Sequence, residues 1–241
     1  MVALVVGAGD FIGAAIAKRF AAGGYAVAVG RRNVEKLAPL VAEIAAAGGT
    51  ARPFALDARD EEQVTGAFAT IEREMGPLEV VVFNVGANVR FPIEETTSRV
   101  FRKVWEMACL GGFLTGREAA RAMVPRGRGS IFFTGATASV RGGSGYAAFA
   151  AAKAGLRALA QSMARELWPK NVHVAHLVID AGVDTAFVRE RIRAAGGDPD
   201  ALPPDALMDP AAIGETYWML HRQPRDAWTF ELDLRPHRET W

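Results

Sequence analysis

The sequence predicts an α/β protein: a doubly wound parallel sheet of seven strands with helices on both faces. Three observations carry this expectation. Short apolar runs alternate with stretches of helical hydrophobic period along the whole chain. Most of those runs are continuously apolar, which marks strands covered on both faces. No proline- or serine-rich linker and no internal repeat interrupts the 241 residues, so the alternation reads as one domain, residues 1–241.

The elements follow in order. VALVVG (2–7) is the first strand, and it enters a glycine-containing turn. Asp10 is the expected cap of the helix beyond, whose Ile12, Ile16 and Phe20 recur every four residues. YAVAVG (25–30) is the second strand, and Asn33 then caps a helix with Val34, Leu37, Val41 and Ile44 on one side. ARPFALD (51–57) is the third strand, and Asp60 with Gln63 forms a capping box ahead of Val64, Phe68, Ile71 and Met75. LEVVVFN (78–84) is the fourth, followed by one long helix over about 98–123. GSIFFTG (129–135) is the fifth, and the next helix carries Leu156, Leu159, Met163 and Leu167. VHVAHLVI (172–179) and WTFELDL (228–234) complete the sheet. Segment 186–210 is the least periodic; it reads as a short helix plus a mobile loop that covers a ligand. In the helix over 210–223, Ile213, Tyr217 and Leu220 share a face, with Trp218 beside it, and that face is core or interface.

Composition narrows the function. The net charge is +1 and both signs are interspersed, which gives no footprint for nucleic acid. No apolar run approaches the ~18–20 residues of a membrane span, and the start lacks a secretion signal, so a cytoplasmic protein with a small-molecule substrate is expected. Cys109 stands alone and is expected to be a buried structural thiol. His173 and His176 lie three apart on a strand and so face opposite sides; no metal site is expected.

The stretch VVGAGDFIG (5–13) joins a strand to a helix, the setting in which glycines let a pyrophosphate approach helix N-terminal amides. Gly7, Gly9, Phe11, Ile12 and Gly13 are therefore candidate cofactor-binding residues of a Rossmann-type fold. Strand two ends in Arg31 and Arg32 where an acid would favour NAD; forked guanidinium donors suit a 2′-phosphate, so NADP(H) is preferred over NAD(H).

With these landmarks in order, the chain resembles the short-chain dehydrogenase/reductase family, whose turn reads Gly-x-x-x-Gly-x-Gly. Gly7 and Gly13 match its outer glycines and Phe11 replaces the middle one. The resemblance places Asp57 at the adenine, and Asn84 and Gly86 at the family's Asn-Asn-Ala-Gly. It also places Thr185 at the nicotinamide amide and Asp180 close by, either as a turn cap or as a replacement acid. The family's catalytic group is Asn, Ser, Tyr and Lys. Here Ala108, Ala136 and Phe149 take the first three positions and only Lys153 remains. Phe149 shares a heptad stripe with Leu156 and Met163, which fits a core role. Lys153 reads as a retained cofactor contact or as a surface lysine reaching outward; beside the apolar stripe its ammonium needs a partner such as a bound ribose or a backbone carbonyl. Tyr146 leads the candidates for a substitute proton donor, ahead of Thr137, Ser139 and Ser144. Seven residues before Lys153, it is separated from it by ~10 Å of helical rise.

The resemblance implies an NADP-linked oxidoreductase of carbonyls or alcohols with a non-standard donor, assembled as a homodimer or homotetramer. Ala108, Ala136 and Phe149 favour a second reading, a cofactor-binding homologue with impaired catalysis that serves as a sensor or oligomer partner. An enzyme of another reaction class reusing the fold is a third.

Overall fold

The computed structural model describes residues 1–240; of the domain expected over 1–241, Trp241 lies outside the described residues. Its centre is β1 (Val2–Val6), fully buried, with β2 (Ala26–Arg31) and β3 (Thr50–Ala55) on one side and β4 (Leu78–Phe83), β5 (Ser130–Thr134), β6 (His173–Ile179) and β7 (Glu231–Leu234) on the other. All pairs are parallel in the order β3-β2-β1-β4-β5-β6-β7. The chain reverses its direction of travel between β1 and β4, and the crevice beyond the carboxyl ends of those strands is where such sheets bind ligands. The edge strand β3 is largely exposed and carries Pro53, which an edge tolerates. The last strand begins three residues later than expected, because residues 225–227 form a 3₁₀ turn and Trp228 stacks on His173 at 4.8 Å.

Helices close both faces. On one side α1 (Ile12–Ala22), α2 (Ala38–Ala46) and α8 (Pro210–His221) bury Ile16, Phe20, Leu40, Ile44 and Tyr217 against Val5 and Val27. Ile213, Tyr217 and Leu220 are therefore core, and α8 lies so close to α1 that a Cβ on Gly214 would come within 2.9 Å of the Ala15 carbonyl. On the other side α3 (Glu61–Glu74), α5 (Gly111–Met123) and α6 (Ala147–Leu167) bury Phe68, Ile71, Leu114 and Leu156 against Leu4 and Val81. Each such side chain contributes roughly 1.5–3 kcal/mol of transfer free energy.

Three local expectations are corrected. The long helix over 98–123 is α4 (Ser98–Trp105) and α5 joined by a π-helical turn, Glu106–Leu110, which holds Ala108 and Cys109. Hydrophobic period does not register the one extra residue of such a turn. Asp10 does not cap α1: Phe11 holds the N-cap without a side-chain bond, because the Asp10 carboxylate accepts a hydrogen bond from Arg31 at 2.9 Å. The box at α3 is half formed. Asp60 accepts from the Gln63 amide N–H, but the Gln63 side-chain oxygen accepts from the Asp57 N–H instead of that of Asp60. Asn33 does cap, though a 3₁₀ turn (Val34–Leu37) precedes α2.

In the segment expected to cover the ligand, α7 spans Ala186–Ala194. The rest is fastened at its far end, where Met208 bridges Val183 and exchanges backbone hydrogen bonds with Gly182 and Asp184. No helix among the described residues is long and apolar enough to cross a membrane.

Candidate functional site

The turn after β1 is built to present donors. Gly7 has φ +85, and a Cβ there would lie 2.7 Å from the Asn84 carbonyl, so only glycine fits. A Cβ on Gly13 would approach the Gly7 carbonyl to 2.4 Å, which seats α1 directly on the turn. Gly9 faces open space. The N–H groups of Phe11, Ile12 and Gly13 find no acceptor among the described residues. Unpaired amides at a helix N-terminus favour an anion. The Phe11 side chain stands 36% exposed and is not part of the cleft wall, so its bulk leaves the cleft open. Asn84 serves the turn itself, its side-chain amide donating to the Gly7 carbonyl at 3.1 Å.

A cleft of ≈ 540 Å³ opens beside this turn, walled by Gly7, Gly9, Arg32, Lys36, Asp57 and Gly86 among others. Its charges are unequally committed. Arg31 is engaged by Asp10 and by the Lys36 carbonyl. The two oxygens of Asp57 are held by the Arg59 guanidinium at 2.6–3.2 Å, and those hydrogen bonds keep its carboxyl below the usual range. Arg32 and the Lys36 ammonium make no hydrogen bond or ion pair among the described residues. Lys36 and Arg59 were not singled out in the sequence. The signal for Lys36 was its place in the first turn after Asn33, and Arg59 stands two residues from a flagged carboxylate. This cationic wall beside free helix N-terminal amides fits the phosphates of a dinucleotide.

At the positions of the proton relay the site is hydrocarbon. Ala108, Phe149, Ala87, Val104, Ala138 and Ala152 form a third buried cluster, separate from the two sheet cores, with Ala136 and Tyr146 packed against it. Phe149 is thus core, but of the site's own wall, while Leu156 packs in the sheet core. Lys153 is 3% exposed and its ammonium donates to the Thr134 carbonyl at 2.8 Å and the Val85 carbonyl at 3.1 Å. It pins the exits of β5 and β4 together; of the two readings, a surface lysine is excluded. Burial lowers its pKa to about 8.

The remaining candidates are placed as follows. Tyr146 is the N-cap residue of α6; its phenol oxygen accepts from Arg191 at 3.1 Å, and the Arg90 guanidinium stands 6.0 Å from its ring centre. Thr137 donates to Asp180, Ser139 accepts from the Ala136 N–H, and Ser144 is exposed. Asp180 is neither a turn cap nor a free acid. It is fully buried and binds Arg141 at 3.2 Å and Arg235 at 2.7 Å. Burial works against its charge, but the bonds from Thr137 and Arg235 and the charge of Arg141 prevail, so its pKa is lowered and it stays ionised. The Thr185 hydroxyl caps α7 by accepting from the Val188 N–H at 3.1 Å. Burial raises the pKa of the Cys109 thiol, in keeping with a structural role.

Comparison with known proteins agrees with this fold. The family described as short chain dehydrogenase matches residues 1–195. A short-chain dehydrogenase from Rhodopseudomonas palustris is 58% identical, with 98% of each chain covered and a TM-score of 0.84. A metagenomic short-chain oxidoreductase solved in complex with NADP is 26% identical, with 99% of this chain and 98% of that chain covered and a TM-score of 0.84. The 3-oxoacyl-[acyl-carrier-protein] reductase MabA of Mycobacterium tuberculosis is 33% identical over 218 residues, 87% of this chain and 81% of its own. With the sheet order, the glycine turn and the buried lysine in place, the chain belongs to the short-chain dehydrogenase family of NAD(P)-dependent oxidoreductases.

Proposed function

We propose that the protein is an NADP(H)-linked oxidoreductase of a carbonyl or alcohol, with a proton donor other than a residue at position 149. One observation carries the cofactor choice: Arg32 and Lys36 line the cleft without an ion pair, next to a turn whose amides are free. The amides of Phe11, Ile12 and Gly13 hold the pyrophosphate, and Arg32 with Lys36 holds the 2′-phosphate. Arg31 joins them only by leaving Asp10. Asp57 and Gly86 border the adenosine, Asn84 fixes the turn, and Lys153 and Thr185 lie on the nicotinamide side. The bound dinucleotide supplies or accepts a hydride. The NADP complex of the metagenomic relative supports this choice.

The proton then has to come from the rim. Tyr146 is the nearest phenol in sequence and packs on the same cluster as Phe149. The second reading, cofactor binding with impaired turnover, is favoured by the hydrocarbon at Ala108, Ala136 and Phe149. We further propose a cytoplasmic homodimer or homotetramer, in which Phe101, Trp105 and Phe113, large apolar side chains exposed on α4 and α5, are covered.

Titration of protein fluorescence with NADPH and NADH tests the cofactor reading. NADPH binds more tightly, and R32E with K36E lowers its affinity about tenfold or more while leaving NADH unchanged. Failure of NADPH to bind at millimolar concentration overturns the reading. Where NADPH binds, a screen of aldehydes and ketones separates turnover from its absence, and turnover lost in Tyr146→Phe assigns the donor.

A further inference from the structure

We propose that Arg90, Arg191 and Tyr146 form a receptor for an oxyanion group, carboxylate or phosphate, on the substrate. The proposal rests on the reading that substrate binds beside the dinucleotide at the carboxyl ends of the strands, and it names the class of that substrate.

The three residues come from three successive exits of the sheet. Arg90 lies in the loop after β4, Tyr146 in the loop between β5 and α6, and Arg191 on α7 after β6. Their meeting is built into the backbone. The Phe91 N–H donates to the Gly145 carbonyl at 2.8 Å, which ties the first loop to the second. Gly145 has φ +81, and a Cβ there would lie 2.9 Å from the Arg90 Cγ, so the arginine stem runs across this glycine. The Arg90 guanidinium stands 6.0 Å from the centre of the Tyr146 ring, and the Arg191 guanidinium donates to the same residue's oxygen at 3.1 Å.

The two guanidinium groups at this rim have no carboxylate partner among the described residues. On α7 the neighbouring arginines are neutralised, Arg189 by Asp184 and Asp200, and Arg193 by Asp200. Arg191, between them, has no carboxylate partner among the described residues, and neither has Arg90. The Tyr146 oxygen accepts from Arg191 and so positions that guanidinium at the rim, while its own O–H stays with the proton-donor role. Two guanidinium forks, held together around one phenol without a carboxylate, match the lone pairs of a carboxylate or phosphate. Tyr146 belongs to the apolar cluster that contains Phe149 and Ala108, so the rim borders the wall where the reacting carbon would lie.

Calorimetric titration with four probes tests this: phenylpyruvate against its methyl ester, and dihydroxyacetone phosphate against dihydroxyacetone. Each anion binds about tenfold or more tightly than its neutral counterpart, and R90Q/R191Q brings that ratio close to one without altering NADPH affinity. The larger of the two ratios tells carboxylate from phosphate. Both side chains are exposed, and Tyr146→Phe gives a second, milder variant that lowers the ratio in part. Equal binding of anion and neutral probe overturns the proposal. So does a ratio that survives R90Q/R191Q and falls in R32E, which places the anion in the nucleotide cleft. NADPH titrated in parallel reads the cofactor assignment separately: an anion preference that depends on Arg90 and Arg191 in a protein that ignores NADPH supports the receptor while refuting the cofactor.

Discussion

Restoring a phenol at position 149 and a hydroxyl at 136 asks whether the scaffold still presents a competent active site. Phe149 is 7% exposed and its cluster neighbours are Ala87, Val104, Ala108, Ala138, Ala148 and Ala152, none with a polar side chain. A phenol oxygen there without a partner would cost about 1–3 kcal/mol. Lys153 lies four residues on, on the same helical face. Its ammonium has three N–H groups, of which the Thr134 and Val85 carbonyls take two. The third is available to the new oxygen, and an adjacent ammonium lowers the phenol pKa. Phe149→Tyr is therefore expected to cost less than about 1 kcal/mol in the parent chain and about 1–3 kcal/mol in a Lys153→Met background, read by urea unfolding. Phe149→Tyr with Ala136→Ser is expected to raise turnover of aldehydes and ketones by ~10²–10⁴, followed as NADPH absorbance. An equal cost in both backgrounds, or unchanged turnover in a variant that binds NADPH, refutes the inference that Lys153 is poised for a partner at 149.

Other outcomes follow from the same coordinates. Gly9→Ala leaves stability unchanged, because no atom lies within 4 Å of the added carbon, but weakens cofactor binding, whereas Gly13→Ala drives a methyl against the Gly7 carbonyl and lowers the melting temperature. Burial holds the pKa values of His176 and His221 at about 4, below the unfolded 6.5. The unfolded chain thus binds protons first, and stability present above pH 6.5 is lost as pH falls toward 4, on the order of 3 kcal/mol for each residue. Equal unfolding free energies at pH 7 and 5 would exclude it. Hydrogen bonds from arginine lower the carboxyl pKa values of Asp57, Asp184 and Glu231, so these groups take up protons later than free carboxylates as the pH falls. Asp180→Asn weakens the attachment of Arg141 and Arg235 and costs roughly 1.5–3 kcal/mol by the same unfolding measurement.

What was legible in the sequence depended on how local the signal was. The buried inner strands followed from apolar runs, since a strand covered on both faces leaves little choice of residue type, whereas the mixed sequences of β3 and β7 go with their less buried positions at the two edges. The position of Ala108 comes from counting back from Gly111 and Phe113, and in the structure it shares an apolar cluster with Phe149. Partnership across the sheet was not legible. The pairing of Asp10 with Arg31 spans 21 residues and that of Asp180 with Arg235 spans 55. Local sequence therefore reads Asp10 as a helix cap and Asp180 as a turn cap or a replacement acid. The π turn at Glu106–Leu110 also escaped, because one inserted residue barely disturbs a hydrophobic stripe. Arg90 and Arg191 carry no motif; only the folded loops show that they share one tyrosine.

The formal charge of +1 conceals a polarised cleft. Of the acids expected near the ligand, Asp10 is bound to Arg31, Asp57 to Arg59, and Asp180 to Arg141 and Arg235. Beyond these pairs, Arg32 and Lys36 at the nucleotide end and Arg90 and Arg191 at the rim make no ion pair among the described residues. Lys153 lies between the two ends with one N–H to spare. Keeping an ammonium out of water costs several kcal/mol before its hydrogen bonds are counted. Gathering guanidinium groups without acids adds repulsion. A field of one sign at both ends of a crevice raises the local concentration of a ligand that is anionic at both of its own ends. A dinucleotide phosphate and an oxyanion-bearing substrate together have that form, whereas a neutral carbonyl compound would leave the rim charges unanswered.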